Sequence, residues 1–396
     1  MKKYCIAITG VTGLLGRNIL FEYLSIYSKK LEDLKIIIIG RSSQNKGLRQ
    51  RIKDIILEDG RFYLNLSSIE LSSMIDYLSK SVEYVEIDFN YNICSDQWKI
   101  LNRYTIDVFY HAAANTSLNN NSIIEQIVYD VNIGGTKQIL NLINECDVKR
   151  LCYFSSVYST GKLTDVVKPE EISMNRLFRN PYEYSKQYCE QIVREYKFKR
   201  NTECYIIRTS ILCGRLIENK IGQIHKFDTL YGLASFFVKS KESILKNTCD
   251  IYEEPLDLNI RIVANQNSKV NVIPADFAAK ASIAIMSLDD IKYKAFHLAN
   301  EYECNIMDHI LNYLHISSYH YVDSIPNDLN EIERLYYKSV GKIFTPYLEN
   351  NGELYFDMES LYNSLPATIK CPKIGINEIE MLFSYARVYN FGLRKK

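Results

Sequence analysis

The sequence predicts an α/β fold, a doubly wound parallel sheet carrying a smaller, discontinuous C-terminal lobe, and three observations lead to it. The first is Gly10-Val11-Thr12-Gly13-Leu14-Leu15-Gly16, set between a short apolar, β-branched run and a helical pattern. The second is a succession of short apolar runs at 34–39, 82–87, 106–110 and 150–154, separated by helical periodicity. Such runs read as parallel strands buried on both faces. The third is the stretch 216–269, which interrupts the alternation and groups with the mixed helical material after 300. The expected division is therefore 1–215 plus about 270–300 for the sheet-bearing domain, and about 216–269 plus 301–396 for the second lobe.

Residues 3–9 form the first strand and 14–26 the first helix, so the three glycines fall in the turn between them. Gly10 permits the sharp turn, Gly13 lets backbone approach a pyrophosphate, and Gly16 lets helix and strand pack closely. With Thr12, Leu14 and Leu15 they make a dinucleotide-binding turn whose helix amides face phosphate. The spacing is GxxGxxG, which by itself also arises by chance in loops.

The second strand ends in Gly40-Arg41-Ser42-Ser43. An acid there would bind the adenosine 2′-hydroxyl, whereas an arginine can hold a 2′-phosphate, so Arg41 selects NADPH over NADH. The alternative for Arg41 is an ordinary solvent-facing loop cation, and Arg17 is a second candidate for the phosphate. Helices are expected at 44–57 and 71–78, then a strand closed by Asp88 and Phe89, assigned to the adenine side. Asp88 reads equally well as a turn aspartate. The fourth strand runs into His111-Ala112-Ala113-Ala114-Asn115, where the three alanines let a cofactor lie flat and His111 reads as structural. Residues 123–145 are expected as one long helix, in which Gly134-Gly135 is unfavourable unless something packs closely there.

The fifth strand delivers Ser155-Ser156-Val157-Tyr158. Asn180-Pro181-Tyr182-Glu183-Tyr184-Ser185-Lys186 then opens a helix at Pro181, with Tyr182 and Lys186 four apart on one face. An ammonium beside a phenol favours the phenolate, lowering a pKa ordinarily near 10. Tyr182 can then exchange a proton with a substrate oxygen that Ser156 holds. Tyr-x-x-x-Lys alone is frequent in a chain with 31 tyrosines, and what gives it weight is its order after the glycine turn, Arg41 and the serine.

Composition narrows the partners. Lysine plus arginine (48) balances aspartate plus glutamate (47), so no global field attracts nucleic acid or an anionic membrane, although a local basic patch stays open. Ten cysteines lie without CxxC or Cys/His spacing, which points to no metal and a reducing, cytoplasmic setting. The apolar stretch after Met1-Lys2-Lys3 is broken by Gly10, Thr12 and Gly13 and lacks a cleavage site, so it is not read as a signal peptide. No run of 18 apolar residues offers a membrane span, and the oligomeric state is open.

These segments resemble the Rossmann-like extended short-chain dehydrogenase/reductases over roughly the first three quarters of the chain. Residues 8–16 look like the phosphate turn, Phe154-Ser155-Ser156 like the active-site strand, and Tyr182 with Lys186 like the catalytic pair. The resemblance assigns Ser156 rather than its neighbour Ser155, puts Asn132 where a helix asparagine supports a proton relay, and makes Arg208-Thr209-Ser210-Ile211 the segment passing the nicotinamide. Thr209 stands where that family usually has proline. Gly40-Arg41-Ser42 with 48–56, Asn271 to Phe277, and Tyr347-Leu348 onward to Tyr362 are similar to the thioester-reductase and fatty acyl-CoA reductase branch. The resemblance implies NADPH-dependent reduction of an acyl thioester, on coenzyme A or a carrier protein, to aldehyde or alcohol. The alternatives are a nucleotide-sugar epimerase or dehydratase using the same triad, and a dinucleotide sensor without turnover. For an acyl substrate, Leu230, Leu233, Phe236 and Phe237, with Phe227 and Tyr231 nearby, are expected to supply an apolar channel in part and packing in part, and a polar residue in place of Phe236 or Phe237 is expected to weaken long-chain thioesters more than short ones.

Overall fold

The computed structural model describes residues 3–88, 99–163, 166–172, 175–246, 249–349 and 355–393. The apolar runs become β1 (Tyr4–Thr9), β2 (Leu34–Gly40), β3 (Glu83–Glu86), β4 (Thr105–His111) and β5 (Asp147–Ser156). The chain continues through the short β6 (Val166–Val167), β7 (Glu203–Thr209), β8 (Ile211–Cys213), β9 (Leu256–Val263) and β10 (Val272–Pro274). β11 (Ala295–Leu298), β12 (Ile316–Val322) and β13 (Tyr355–Phe356) follow. Seven of these make one parallel sheet in the order β11-β7-β5-β4-β1-β2-β3.

Strand alternation explains why both faces are covered. Ile6, Ile8, Ile36 and Ile38 point into a core shared with helices Leu14–Ile26 and Ala275–Met286. Cys5, Ala7, Ile37 and Ile39 point the other way, onto helices Gly135–Asn144 and Pro181–Glu195. Each of the fully buried isoleucines contributes about 2 kcal/mol. From β1 the chain winds outward through β2 and β3, then returns to place β4 on the other side of β1. That reversal opens a crevice at the carboxyl ends of β1 and β4.

Several elements differ in extent from the sequence expectation. The helix expected at 44–57 is Leu48–Ile55 followed by a π turn at Ile56–Gly60, and that at 71–78 extends to Ser68–Lys80. The extension has a local cause: Ser67 and Glu70 form a capping box, satisfying two helix-end amides. The long helix expected at 123–145 is Ser122–Tyr129 and Gly135–Asn144, joined through a π turn at Asp130–Gly134. Nothing packs tightly on Gly134, where a Cβ would meet only the Tyr129 carbonyl at 4.0 Å. The glycine therefore sits in an irregular turn rather than under a close neighbour.

A third apolar cluster stands apart from the two sheet faces. It joins helix Leu230–Leu245, β9, helix Ile306–Tyr313 and helix Ile376–Val388, with β12 paired in parallel on β9. β8 and β10 pair beside the main sheet and lead into it. Arg208 of β7 and Glu190 of helix Pro181–Glu195 form a fully buried ion pair, Nη2 to Oε2 at 2.7 Å and Nε to Oε1 at 2.9 Å. Among the described residues no helix is long and apolar enough to cross a membrane.

Candidate active site

The turn after β1 has the geometry its glycines imply. Gly10 has φ +77°, and a Cβ there would lie 2.6 Å from the Ala113 nitrogen. A Cβ on Gly16 would lie 2.3 Å from the Gly10 carbonyl oxygen, so helix and turn approach as closely as backbone allows. The Gly13 N–H is donated to the Gly10 carbonyl at 2.8 Å, and Gly13 caps the first helix without any side-chain acceptor. A bare helix N-terminus behind a glycine cradle fits the pyrophosphate of a dinucleotide.

One cavity of about 760 Å³ runs from this turn across the ends of the strands. Gly10, Thr12, Gly13, Leu14, Leu15, Gly16, Arg41, Asp88 and Ala112 to Ala114 line one part of it. Ser156, Tyr182, Lys186, Thr209 and Ile211 line it as well, so these sequence-derived candidates come together. Phe89 lies outside the described residues. Asn132 is buried but does not line the cavity. Its Nδ2 donates to the Asn115 carbonyl at 3.0 Å and to Ser185 Oγ at 2.9 Å, while its Oδ1 accepts the Asn115 N–H at 2.7 Å. It braces the loop after β4 against the helix that carries Tyr182.

Arg41 is exposed at the end of β2, and its carbonyl accepts from Arg51 Nη1 at 2.6 Å. Arg51 is thus a neighbour of the Arg41 backbone that helical spacing alone did not reveal. Arg17 does something other than assist Arg41. It is buried, with Nη1 3.1 Å from Asp59 Oδ2 and Nη2 donating to the Thr12 carbonyl at 3.0 Å. Since Asp59 also pairs with Arg215 at 2.7 Å, Arg17 holds the turn from beneath.

The catalytic candidates sit at the start of helix Pro181–Glu195, where Asn180 Oδ1 accepts the Glu183 N–H at 3.1 Å. Ser155 spends its hydroxyl on Glu190 at 2.5 Å, which leaves Ser156 to share a hydrogen bond with Tyr182. Lys186 Nζ donates to the Phe154 carbonyl at 2.7 Å and lies 5.9 Å from the Tyr182 ring centroid. The expected lowering of the phenol by this lysine is not what the geometry produces. Burial pushes Tyr182 up to about 12, with Ser156 lowering it and the Glu183 charge raising it. Burial also brings Lys186 down to about 8, against the opposing influence of Cys189 and Glu190. In this site desolvation outweighs the attraction of an ammonium turned toward a carbonyl.

His111 is structural, as expected: its Nδ1 lies 2.8 Å from Thr9 Oγ1 and its Nε2 3.2 Å from Thr136 Oγ1. Burial, reinforced by the Lys186 charge, lowers it to about 3, so the ring is neutral. Thr209 Oγ1 donates to the Ser155 carbonyl at 3.3 Å. Asp276, in the stretch 271–277, accepts the N–H groups of Ile217 and Glu218, both at 2.7 Å, and so shapes the loop after β8.

The apolar end corrects one expectation. Leu230 and Leu233 line the cavity, together with Val270, Val272, Ile306 and Phe344. Phe236 and Phe237 do not: their rings pack on each other at 5.3 Å and on Tyr336 at 5.5 and 6.2 Å, inside the third core. Tyr231 is fully buried and accepts the Gly214 N–H at 3.0 Å, and Phe227 packs on it rather than on the cavity. Helical spacing marks a face without telling which neighbour that face meets. The sequence reading named Tyr158 and Tyr347 only as parts of longer segments and gave them no place in the site, yet both line the cavity. Tyr347 OH donates to Glu183 Oε1 at 2.8 Å and accepts from Asn180 Nδ2 at 2.7 Å. No local pattern signals a contact across more than 160 residues.

The profile of an NAD-binding family described as male sterility protein matches residues 8–282. No curated protein matches the chain in sequence. Among solved structures, the terminal R domain from the myxalamid PKS-NRPS biosynthetic pathway is similar, with TM-score 0.70 and 18% identity, covering 99% of this chain and 92% of that one. A thiolation-reductase di-domain from an archaeal non-ribosomal peptide synthetase gives 0.65 and 18%, covering 99% and 76%. UDP-glucuronic acid 4-epimerase from Bacillus cereus, in complex with UDP-glucuronic acid and NAD, gives 0.58 and 15%, covering 97% and 99%. At such identities the likeness is one of fold, and reductases and epimerases share it.

Proposed function

The chain belongs to the male sterility protein family, and we propose that within it the protein is an NADPH-dependent reductase of acyl thioesters, yielding an aldehyde or alcohol. It is an enzyme of NAD(P)-dependent oxidoreductase type, with the Rossmann-like fold of the short-chain dehydrogenase/reductases. The observation that carries the finer reading is a single cavity in which Ser156, Tyr182 and Lys186 stand between a glycine cradle and an apolar wall. An acyl chain needs such a wall, whereas a sugar nucleotide needs a second phosphate site. Leu230, Leu233, Val270, Val272, Ile306 and Phe344 favour the first.

In this reading the turn at 10–16 holds the pyrophosphate, and Arg41 holds the 2′-phosphate. When bound, the nicotinamide supplies hydride to the thioester carbonyl carbon. Ser156 and Tyr182 donate hydrogen bonds to the oxygen on which negative charge develops. Tyr182 stays protonated through neutral pH, as a donor must, and can deliver its proton to that oxygen, giving a hemithioacetal whose C–S bond then breaks to release the aldehyde and the free thiol. Lys186 keeps positive charge near the phenol and holds the end of β5 through the Phe154 carbonyl. Asn132 acts as a positioning residue through Asn115 and Ser185. The acyl group arrives on coenzyme A or a carrier protein. The two-lobe division at about 216–269 plus 301–396 belongs to this proposal, supported by the separate third core. A cytoplasmic setting is in keeping with nine cysteines that form no disulfide among the described residues.

The test is incubation with NADPH and a panel of acyl thioesters and nucleotide sugars, followed by mass spectrometry. NADPH oxidation coupled to loss of a thioester is the expected result. An isomerised sugar without net oxidation would move the protein to the epimerase reading.

A further inference from the structure

One polar group on the cavity wall has no part in the chemistry above. Tyr158 stands two residues beyond Ser156, in the 3-10 turn Val157–Thr160. It is half-buried and lines the cavity. Its backbone N–H is donated to Ser156 Oγ at 3.2 Å, so its main chain belongs to the reacting end. Its hydroxyl is carried a ring's length away to the start of β10, where it accepts the Asn271 N–H at 3.3 Å. Val270 and Val272, on either side of Asn271, line the same cavity.

A phenol that accepts a hydrogen bond still has one proton to give. Among the described residues nothing accepts the proton of Tyr158. Burial raises the hydroxyl's pKa, which keeps it a donor throughout the working pH range. The ring is also held in place. Tyr347 meets it edge-on at 5.5 Å and 89°, and Phe356 at 6.1 Å and 82°. Tyr347 is itself tied to Asn180 and Glu183. A fixed donor loses little entropy when it engages a ligand.

Resting on the thioester reading, we propose that Tyr158 donates a hydrogen bond to a carbonyl or amide oxygen of the substrate lying beyond the reacting carbon. Ser156 and Tyr182 take the reacting oxygen, whereas the Tyr158 hydroxyl is anchored at Asn271, at the start of β10. The site therefore favours thioesters with such an acceptor over plain alkyl ones, because an unmet buried donor costs binding. The acceptor belongs either to the amides of a pantetheine arm or to the acyl group itself.

Four thioesters separate these sources: a plain alkanoyl group and an N-acetylaminoacyl group of equal length, each on coenzyme A and on ethanethiol. Wild type and Tyr158→Phe are compared with NADPH, the substitution preserving the ring contacts. Where the acceptor is engaged, the variant's KM rises roughly five- to tenfold, with NADPH affinity unchanged. A rise confined to the coenzyme A pair assigns the acceptor to the arm, and one confined to the aminoacyl pair assigns it to the acyl group. The ethanethiol ester of the plain alkanoyl group changes in neither case. An equal rise for all four, or for none, overturns the proposal, the former because it marks Tyr158 as a support for Asn271 only. Should the variant not fold, equal wild-type KM values across the four overturn it as well. Absence of NADPH oxidation with every thioester refutes the reductase reading itself, a result distinct from all of these.

Discussion

Lys186 should cost this protein stability, and the size of the cost follows from its surroundings. Its ammonium is buried, and the distance from the ordinary 10.5 to about 8 measures the penalty of keeping it charged there. At about 1.4 kcal/mol per pH unit, the penalty is about 3 kcal/mol. Lys186→Met removes the charge while filling much of the same space, but leaves the Phe154 carbonyl without its 2.7 Å donor, a loss of about 1 kcal/mol. The variant should therefore be about 2 kcal/mol more stable than wild type at pH 7, although its reductase activity is largely lost. The sign with pH is determined by the lowered folded-state value. Below about 8 the lysine is charged both folded and unfolded, so the whole penalty applies. Between about 8 and 10.5 the folded protein has released the proton and the penalty fades, so the variant's advantage should shrink toward the upper limit. Urea unfolding of both proteins at pH 7 and at pH 10 measures this, with each difference taken at one pH so that other titrations cancel. A variant less stable than wild type at pH 7, or an advantage that does not narrow at pH 10, would refute the reasoning. The same value predicts that wild-type turnover declines as pH rises through about 8.

Three other substitutions probe the site. Tyr182→Phe removes the proton donor and should lower kcat by about 10² to 10⁴, with NADPH affinity by titration nearly unchanged; near wild-type turnover would remove Tyr182 from the mechanism. Arg41→Ala should weaken NADPH by about tenfold or more while barely affecting NADH, since only the 2′-phosphate gains from a paired guanidinium; an unchanged ratio of dissociation constants would exclude it. Leu233→Asn, on the cavity wall, should raise KM for long acyl chains more than short ones, at about 0.8 kcal/mol for each buried methylene that loses its contact. Phe237→Leu, in the third core, should lower the unfolding temperature without changing chain-length preference.

How much of the site was legible depended on how local its determinants are. Gly10, Gly13 and Gly16 act through backbone sterics within one turn, so their role can be read directly from their order. Arg41 follows a strand end, and strand ends are marked by the break in an apolar run. Tyr182 and Lys186 share a helix face by spacing alone. The choice between Ser155 and Ser156 rested on resemblance, and the structure separates them through Glu190, which takes the first hydroxyl. Arg17 and the pair Phe236 and Phe237 were misread for one reason: residue type and periodicity give a direction within an element but not the neighbour lying in it. Asp59 for Arg17, and Tyr336 for the phenylalanines, come from elsewhere in the chain.

The sequence alone determined five of the sheet's seven strands, the glycine turn and the order of the candidate catalytic groups, because each depends on contacts within a few residues. Tertiary structure alone decided the electrostatics and the cavity's far wall. Whether Lys186 lowers Tyr182 depends on burial and on where its ammonium points, and the Phe154 carbonyl of β5 settles that. Tyr158, Tyr347 and Glu183 meet only because the third core folds against the carboxyl edge of the sheet, bringing residue 347 onto the helix that begins at residue 181. Desolvation and long-range packing are properties of the whole enclosure, and no stretch of chain encodes them by itself.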